Sequence, residues 1–193
     1  MHGFLTATLI STAVVFVAEL GDKSQLMALT FATRYRPLPV LLGITVATAV
    51  VHALSVALGY GLGNALPTRW ITVLAGAAFL GFAVWTLRGD SLTPEEKQRA
   101  DRSTGSVVLT VGTVFFLAEL GDKTMLATVT LATQHGWAGT WLGSTLGMVA
   151  ADALAILAGR LLGRRLPERL VAFGAAALFA VFGLWLLGDA ALG

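Results

Sequence analysis

The sequence predicts an all-α integral membrane protein, with six transmembrane helices arranged as two inverted three-helix repeats and both termini outside. Three observations predict it. Of the 193 residues, 56% are apolar and only 12% charged, about half the charge of an ordinary soluble domain, and the mean hydropathy is +0.79. Six continuous apolar stretches provide the roughly 20 residues that a helix needs to cross the hydrocarbon core. Residue i also lies over residue i+100 without a gap, with about 30 identities between positions 9 and 87. The composition excludes a soluble globular domain and a disordered chain. The unbroken apolar runs argue against a β-barrel, whose strands alternate in and out.

The first stretch, Phe4–Thr33, has no basic n-region and runs on through a charged motif, so it does not read as a cleavable signal peptide. Arg34 to Pro39 ends it. Leu38–Leu62 follows and closes at Gly63 to Arg69. Trp70–Leu87 comes next, with Trp70 as an interfacial anchor. The segment from Arg88 to Ser106 is crowded with charges and reads as a solvated linker. Val107–Thr133, Trp137–Leu162 and Leu170–Leu187 then repeat the pattern, separated by Gln134 to Gly136 and by Gly163 to Arg169. The chain thus divides into a first repeat at 1–88, a cytoplasmic linker at 89–106 and a second repeat at 107–193. Three spans per repeat is an odd number, so the second repeat crosses the bilayer in the opposite sense.

Basic residues set the orientation. With the N-terminus outside, the first, third and fifth loops face the cytoplasm. They hold Arg34 and Arg36, then Arg88, Lys97, Arg99 and Arg102, then Arg160, Arg164, Arg165 and Arg169, ten of the 13 basic residues. Arg69 alone falls in an outer loop, and Lys23 and Lys123 fall inside spans. That asymmetry follows the positive-inside rule.

Glu19-Leu20-Gly21-Asp22-Lys23 lies over Glu119-Leu120-Gly121-Asp122-Lys123. Both copies fall near the middle of an apolar stretch, where one carboxylate costs a few kcal/mol. In a continuous helix, Glu and Asp three apart occupy neighbouring positions of one face, and Lys four after the Glu is set for an ion pair. Such pairs alone would make the motif a packing device. Its duplication, each copy with an additional Asp, points instead to a binding site. Glu19, Asp22, Glu119 and Asp122 are the expected metal ligands, with Lys23, Ser24, Gln25, Lys123, Thr124 and Met125 as auxiliary positions. Gly21 removes a side chain and lets another backbone approach. Two such faces meeting at a pseudo-two-fold axis offer carboxylate and hydroxyl oxygens, an environment for hard divalent cations. Four carboxylates and two ammonium groups leave a charge of −2, which one divalent ion or two protons neutralise. Asp152 and its repeat mate His52 both titrate and are candidates for a proton relay. Gly59/Gly63 and Gly159/Gly163 have the small-xxx-small spacing of close helix packing.

The doubled Glu-x-Gly-Asp-Lys-Ser/Thr motif, in a chain of six apolar stretches, resembles the transmembrane protein 165 family, also called uncharacterised protein family 0016. The resemblance spans the whole chain. It implies a cation/proton antiporter moving Mn²⁺ or Ca²⁺, with bacterial members acting as manganese exporters. It carries the family's acidic residues onto Glu19, Asp22, Glu119 and Asp122, and its basic and hydroxyl residues onto Lys23, Ser24, Lys123 and Thr124. Gln often follows the motif in this family, as Gln25 does here; the second copy has Met125, a poor ligand for Ca²⁺ and a tolerable one for Mn²⁺, which reads first as a methionine filling a core gap.

The expected partners are therefore a divalent metal ion, protons and the lipid bilayer, in the inner membrane of a bacterium, with no nucleic acid; a homodimer is compatible with the sequence. Mn²⁺ or Ca²⁺ is expected as transported substrate, with no cofactor. A passive divalent-cation channel and an exporter of small organic cations or amino acids remain as alternatives. An intramembrane enzyme is disfavoured, because histidine ligands are lacking, with only His52 in a span, and the site is mirror-symmetric between the repeats.

Overall fold

A computed structural model describes residues 2–88, 106–162 and 168–192. The linker expected at 89–106, apart from Ser106, and Arg164 and Arg165 lie outside the described residues. Eight helices are described: α1 (His2–Glu19), α2 (Lys23–Arg34), α3 (Pro37–Ala65), α4 (Thr68–Arg88), α5 (Val107–Glu119), α6 (Lys123–Gln134), α7 (Trp137–Leu162) and α8 (Glu168–Leu192). No strand occurs among the described residues.

Two expectations change. The stretches Phe4–Thr33 and Val107–Thr133 are not continuous helices, because each breaks at its acidic motif. α1 and α2 meet at an angle of 76°. Gly21 and Gly121 adopt φ of +77° and +82°, the left-handed region that ends helices and that only glycine enters without strain. Asp22 and Asp122 follow in extended conformation at the N-caps of α2 and α6. Apolar composition carries no record of this, since a window average cannot register one backbone dihedral. By length and composition, α3, α4, α7 and α8 can each cross a membrane, and the bent α1–α2 pair makes a fifth candidate, whereas α5 is a shorter apolar helix. Arg69, expected in a loop, belongs to the first turn of α4.

The packing pairs elements of one repeat with elements of the other. α1 lies along α7, α5 along α3, and α4 along α8. Small residues permit the close approach. Gly139, Gly143 and Gly147 of α7 face the backbone of α1 at Phe4, Thr8 and Thr12, and Gly43 of α3 faces Val108 and Val111 of α5. Gly59 and Gly63 seat α3 on α6 at Val129 and Thr133, as their spacing suggested. Where α3 crosses α7, the hydroxyl of Thr48 donates to the Sδ of Met148, its own repeat mate, at 3.3 Å. Two apolar clusters flank this crossing: one is built around Met27, Phe31, Ile44 and Phe115, the other around Val15, Phe79, Phe82 and Phe179. The outer faces of the long helices carry exposed Leu, Val, Phe and Trp, such as Leu58, Leu74, Leu157 and Trp185, as a surface bathed in lipid requires.

Candidate functional site

The helix breaks build the site. After Glu19, the Leu20 amide reaches back to Val17 O at 3.2 Å and the Asp22 amide to Glu19 O at 3.1 Å, with Asp122 bonding Glu119 O at 3.2 Å in the second copy. Each turn leaves the glycine N–H without a helical acceptor, and the side chain four residues on supplies one. Gly21 donates to Gln25 Oε1 at 2.8 Å, and Gly121 to Met125 Sδ at 3.1 Å. Gln25 and Met125 thus fasten the turns. Gln25 also donates to Ala151 O of α7 at 2.9 Å.

Neither Asp uses its carboxylate to cap its helix, which frees both for the interior. Glu19, Asp22 and Glu119 converge: one carboxylate oxygen of each lies within 4.8 Å of the other two. All three are buried. Glu19 Oε2 and Glu119 Oε1 have no hydrogen-bond partner, a costly state for buried oxygens. The Ser24 hydroxyl contacts the Glu19 carboxylate and lies 3.0 Å from Asp22 Oδ2, while Thr124 donates to Glu119 Oε2 at 2.9 Å.

The lysines form ion pairs between the repeats. The break swings each toward the other repeat: Lys123 Nζ sits 2.5 Å from Asp22 Oδ1, and Lys23 Nζ 3.3 Å from Asp122 Oδ1. Asp122, though buried, stands outside the group of three converging carboxylates and lies against Lys23. The two copies are therefore alike in turn geometry and unlike in the company their aspartates keep.

Asp152 is fully buried on α7 with neither oxygen hydrogen-bonded, and it lies within electrostatic reach of Glu19, Asp22 and Glu119. Its repeat mate His52 is equally buried, with Nδ1 unpartnered. The repeat relation equates the two positions, and the fold brings Asp152 to the acidic cluster. An arrangement of three convergent carboxylates, hydroxyls and two reciprocal ammonium groups can hold a divalent cation through oxygen and can hold protons when the cation is absent.

Comparison with known proteins agrees with the doubled motif. The model of the family described as "Divalent cation/proton antiporter GDT1" matches residues 7–94 and 107–193. The chain is 38% identical over 181 residues to a Vibrio cholerae protein named "Putative manganese exporter", covering 91% of this chain and 87% of that protein. It is 30% identical over 198 residues to the Synechocystis "GDT1-like protein sll0615", covering 93% and 96%. It is 29% identical over 209 residues to the Arabidopsis thaliana "GDT1-like protein 5", covering 90% and 92%. No solved structure matches.

Proposed function

Because the chain belongs to the GDT1 family of divalent cation/proton antiporters, a family of multi-pass membrane transporters and not enzymes, we propose that it exports Mn²⁺, and Ca²⁺ less readily, in exchange for protons. The observation that carries this reading is the convergence of Glu19, Asp22 and Glu119, drawn from both repeats, at two helix breaks. Glu19, Asp22, Glu119 and Asp122 form the cation site, the first three as direct ligands and Asp122 through its exchange with Lys23. The manganese preference rests on the Vibrio relative's name.

The coupling follows from charge. The four motif carboxylates and two lysines, counted without Asp152, leave −2, neutralised by one M²⁺ or by two protons, and a neutral site crosses a low-dielectric barrier most easily. Ser24 contributes a second argument. A hydroxyl has one proton to donate, and Lys123 already holds Asp22, so when that proton serves one oxygen of Glu19 the other, Oε2, is left without a partner and open to a cation or a proton. Asp152, beside this cluster and unpartnered, is the proton acceptor nearest to hand, with His52 a more distant candidate.

The topology is part of the proposal. Repeats at 1–88 and 107–193 span the membrane in opposite senses, each broken span counting as one crossing, with N-out, C-out orientation in a bacterial plasma membrane. The inward proton gradient then drives the cation out. Half-helices that end near the middle of the bilayer are a recurrent way of building such sites.

The test is flux in proteoliposomes under an imposed pH gradient, with Mn²⁺ and Ca²⁺ offered separately to the intact protein, Glu19→Gln and Glu119→Gln. Gradient-driven Mn²⁺ accumulation that both substitutions abolish is the expected result. Flux indifferent to the gradient would replace the antiporter with a channel. A stoichiometry other than two protons per ion would overturn the charge argument.

A further inference from the structure

The half-helix α6 links the carboxylates to a cavity on one side of the molecule. It begins at Lys123 and ends at Gln134, a distance of about 18 Å at the helical rise. Beyond its end lies a cavity of about 470 Å³, whose polar wall is formed by Thr68 and Thr72 of α4, Thr133, Gln134 and His135 at the end of α6, and Asp189 of α8. Among the described residues the lining holds one carboxylate and no lysine or arginine.

The repeats differ along the route from site to cavity. The buried face of α6 presents Thr124, Thr128 and then Leu131; the matching face of α2 presents Ser24, Ala28 and then Phe31. On α2 the corresponding position is the buried Phe31, whose ring centroid lies 6.3 Å from that of Tyr35 and 6.5 Å from that of Phe115. On α6 the Thr128 hydroxyl donates to Thr124 O at 2.9 Å, which leaves its lone pairs as acceptors one turn beyond the site. Leu131, one turn further along α6, belongs to the apolar wall of the cavity with Phe79 and Phe182, whose ring centroids are 5.8 Å apart.

We propose that the cavity is a second cation subsite, a vestibule in which Asp189 and His135 hold a hydrated divalent cation, Mn²⁺ in preference to Ca²⁺, as it passes between water and the buried carboxylates. The proposal rests on the antiporter reading above. Asp189 is exposed and supplies the attraction. His135 is half-buried, and burial pushes its imidazole below its usual value, so at neutral pH it offers a neutral ring nitrogen. Nitrogen suits a transition ion and is a poor partner for Ca²⁺. The hydroxyls of Thr68 and Thr72 and the Gln134 amide meet the waters of a hydrated ion. Passage inward requires Leu131, Phe79 and Phe182 to part.

The experiment uses the full-length protein in sealed membrane vesicles of both orientations, with Mn²⁺ alone or Ca²⁺ alone supplied on one side at low ionic strength. Asp189→Asn is expected to raise the half-saturating Mn²⁺ concentration about 3- to 10-fold from the vestibule side only, the scale of one charge acting on a divalent ion through water. His135→Gln is expected to raise it for Mn²⁺ and leave Ca²⁺ unchanged. Half-saturation unchanged in both variants, or raised equally from both sides, would overturn the vestibule while leaving the antiporter intact. Absence of metal flux in the unsubstituted protein would instead remove the antiporter reading itself.

Discussion

Lys123 of the second acidic motif is ion-paired with Asp22 of the first, Nζ to Oδ1 at 2.5 Å, and Lys23 returns the interaction to Asp122 at 3.3 Å. The two lysines thus cross-brace the repeats at the helix breaks. Removing one member of a buried pair leaves its partner uncompensated and costs about 3–5 kcal/mol. The Lys123 side chain is 3% exposed and that of Lys23 is 17%. Lys123→Met should therefore lower the thermal midpoint in detergent more than Lys23→Met. The double variant Lys123→Met/Asp22→Asn should recover part of the loss. Equal effects for the two lysines, or no recovery, would sink the cross-brace.

The positive φ of Gly121 is the physical switch that breaks the second motif span. A Cβ there would meet nothing within 4 Å, so Gly121→Ala suffers only the left-handed backbone penalty, about 1–2 kcal/mol. Modest destabilisation with loss of Mn²⁺ flux is expected, because the turn that aims Glu119 and Asp122 shifts. Flux retained at the level of the unsubstituted protein would mean the turn is not needed in this form.

A different glycine effect separates Gly43 from Gly61. A Cβ on Gly43 would lie 2.9 Å from both Val108 O and Val111 Cβ, whereas on Gly61 it would meet nothing. Gly43→Ala should force α3 from α5 and reduce the folded yield. Gly61→Ala should be neutral or slightly stabilising, since alanine is the better helix former. Size-exclusion profiles of the two purified variants make the comparison.

Asp152 has no hydrogen-bond partner although it is fully buried, a cost to folding that a function would justify. Asp152→Leu is expected to melt at a temperature equal to or above that of the unsubstituted protein while its proton-coupled Mn²⁺ transport falls by an order of magnitude or more, the usual exchange of activity for stability. A lower melting temperature with undiminished transport would make Asp152 a structural residue.

The pH dependence predicted for His135 has a definite sign. Burial lowers its value in the folded protein relative to the unfolded chain, so between the two values the unfolded chain binds more protons and stability rises with pH. His135 contributes no penalty above about 6.5, the ordinary histidine value, and a growing one as the pH falls below it. His135→Gln should flatten the decline in thermal midpoint between pH 7 and pH 5. An identical decline in both proteins would exclude His135 as its source.

The apolar stretches and the spacing of 100 residues are legible in the sequence because composition and periodicity survive in one dimension. Trp137–Leu162 is a helix with the bounds its hydropathy suggests, and Pro37–Ala65 brackets Leu38–Leu62 by a few residues. Glu19, Asp22, Glu119 and Asp122 stand out in the sequence for the same reason, as charges where apolar residues belong. The break between Glu19 and Asp22 was not, since Gly21 is compatible with a continuous helix until its φ is known.

By itself the sequence determined that this chain is helical and membrane-bound, that it is built twice from one pattern, and that it belongs to a family of divalent cation/proton antiporters. Those properties reside in residue types and their spacing. Only the tertiary structure decided that Lys123 answers Asp22 across the repeats, that Gln25 and Met125 fasten the turns, that Asp152 joins the acidic cluster, and that His135 and Asp189 share a cavity. Each depends on which residues, distant along the chain, come within a few ångströms. Two near-identical motifs acquire different neighbours once α3 and α7 cross, and a one-dimensional repeat cannot record that difference.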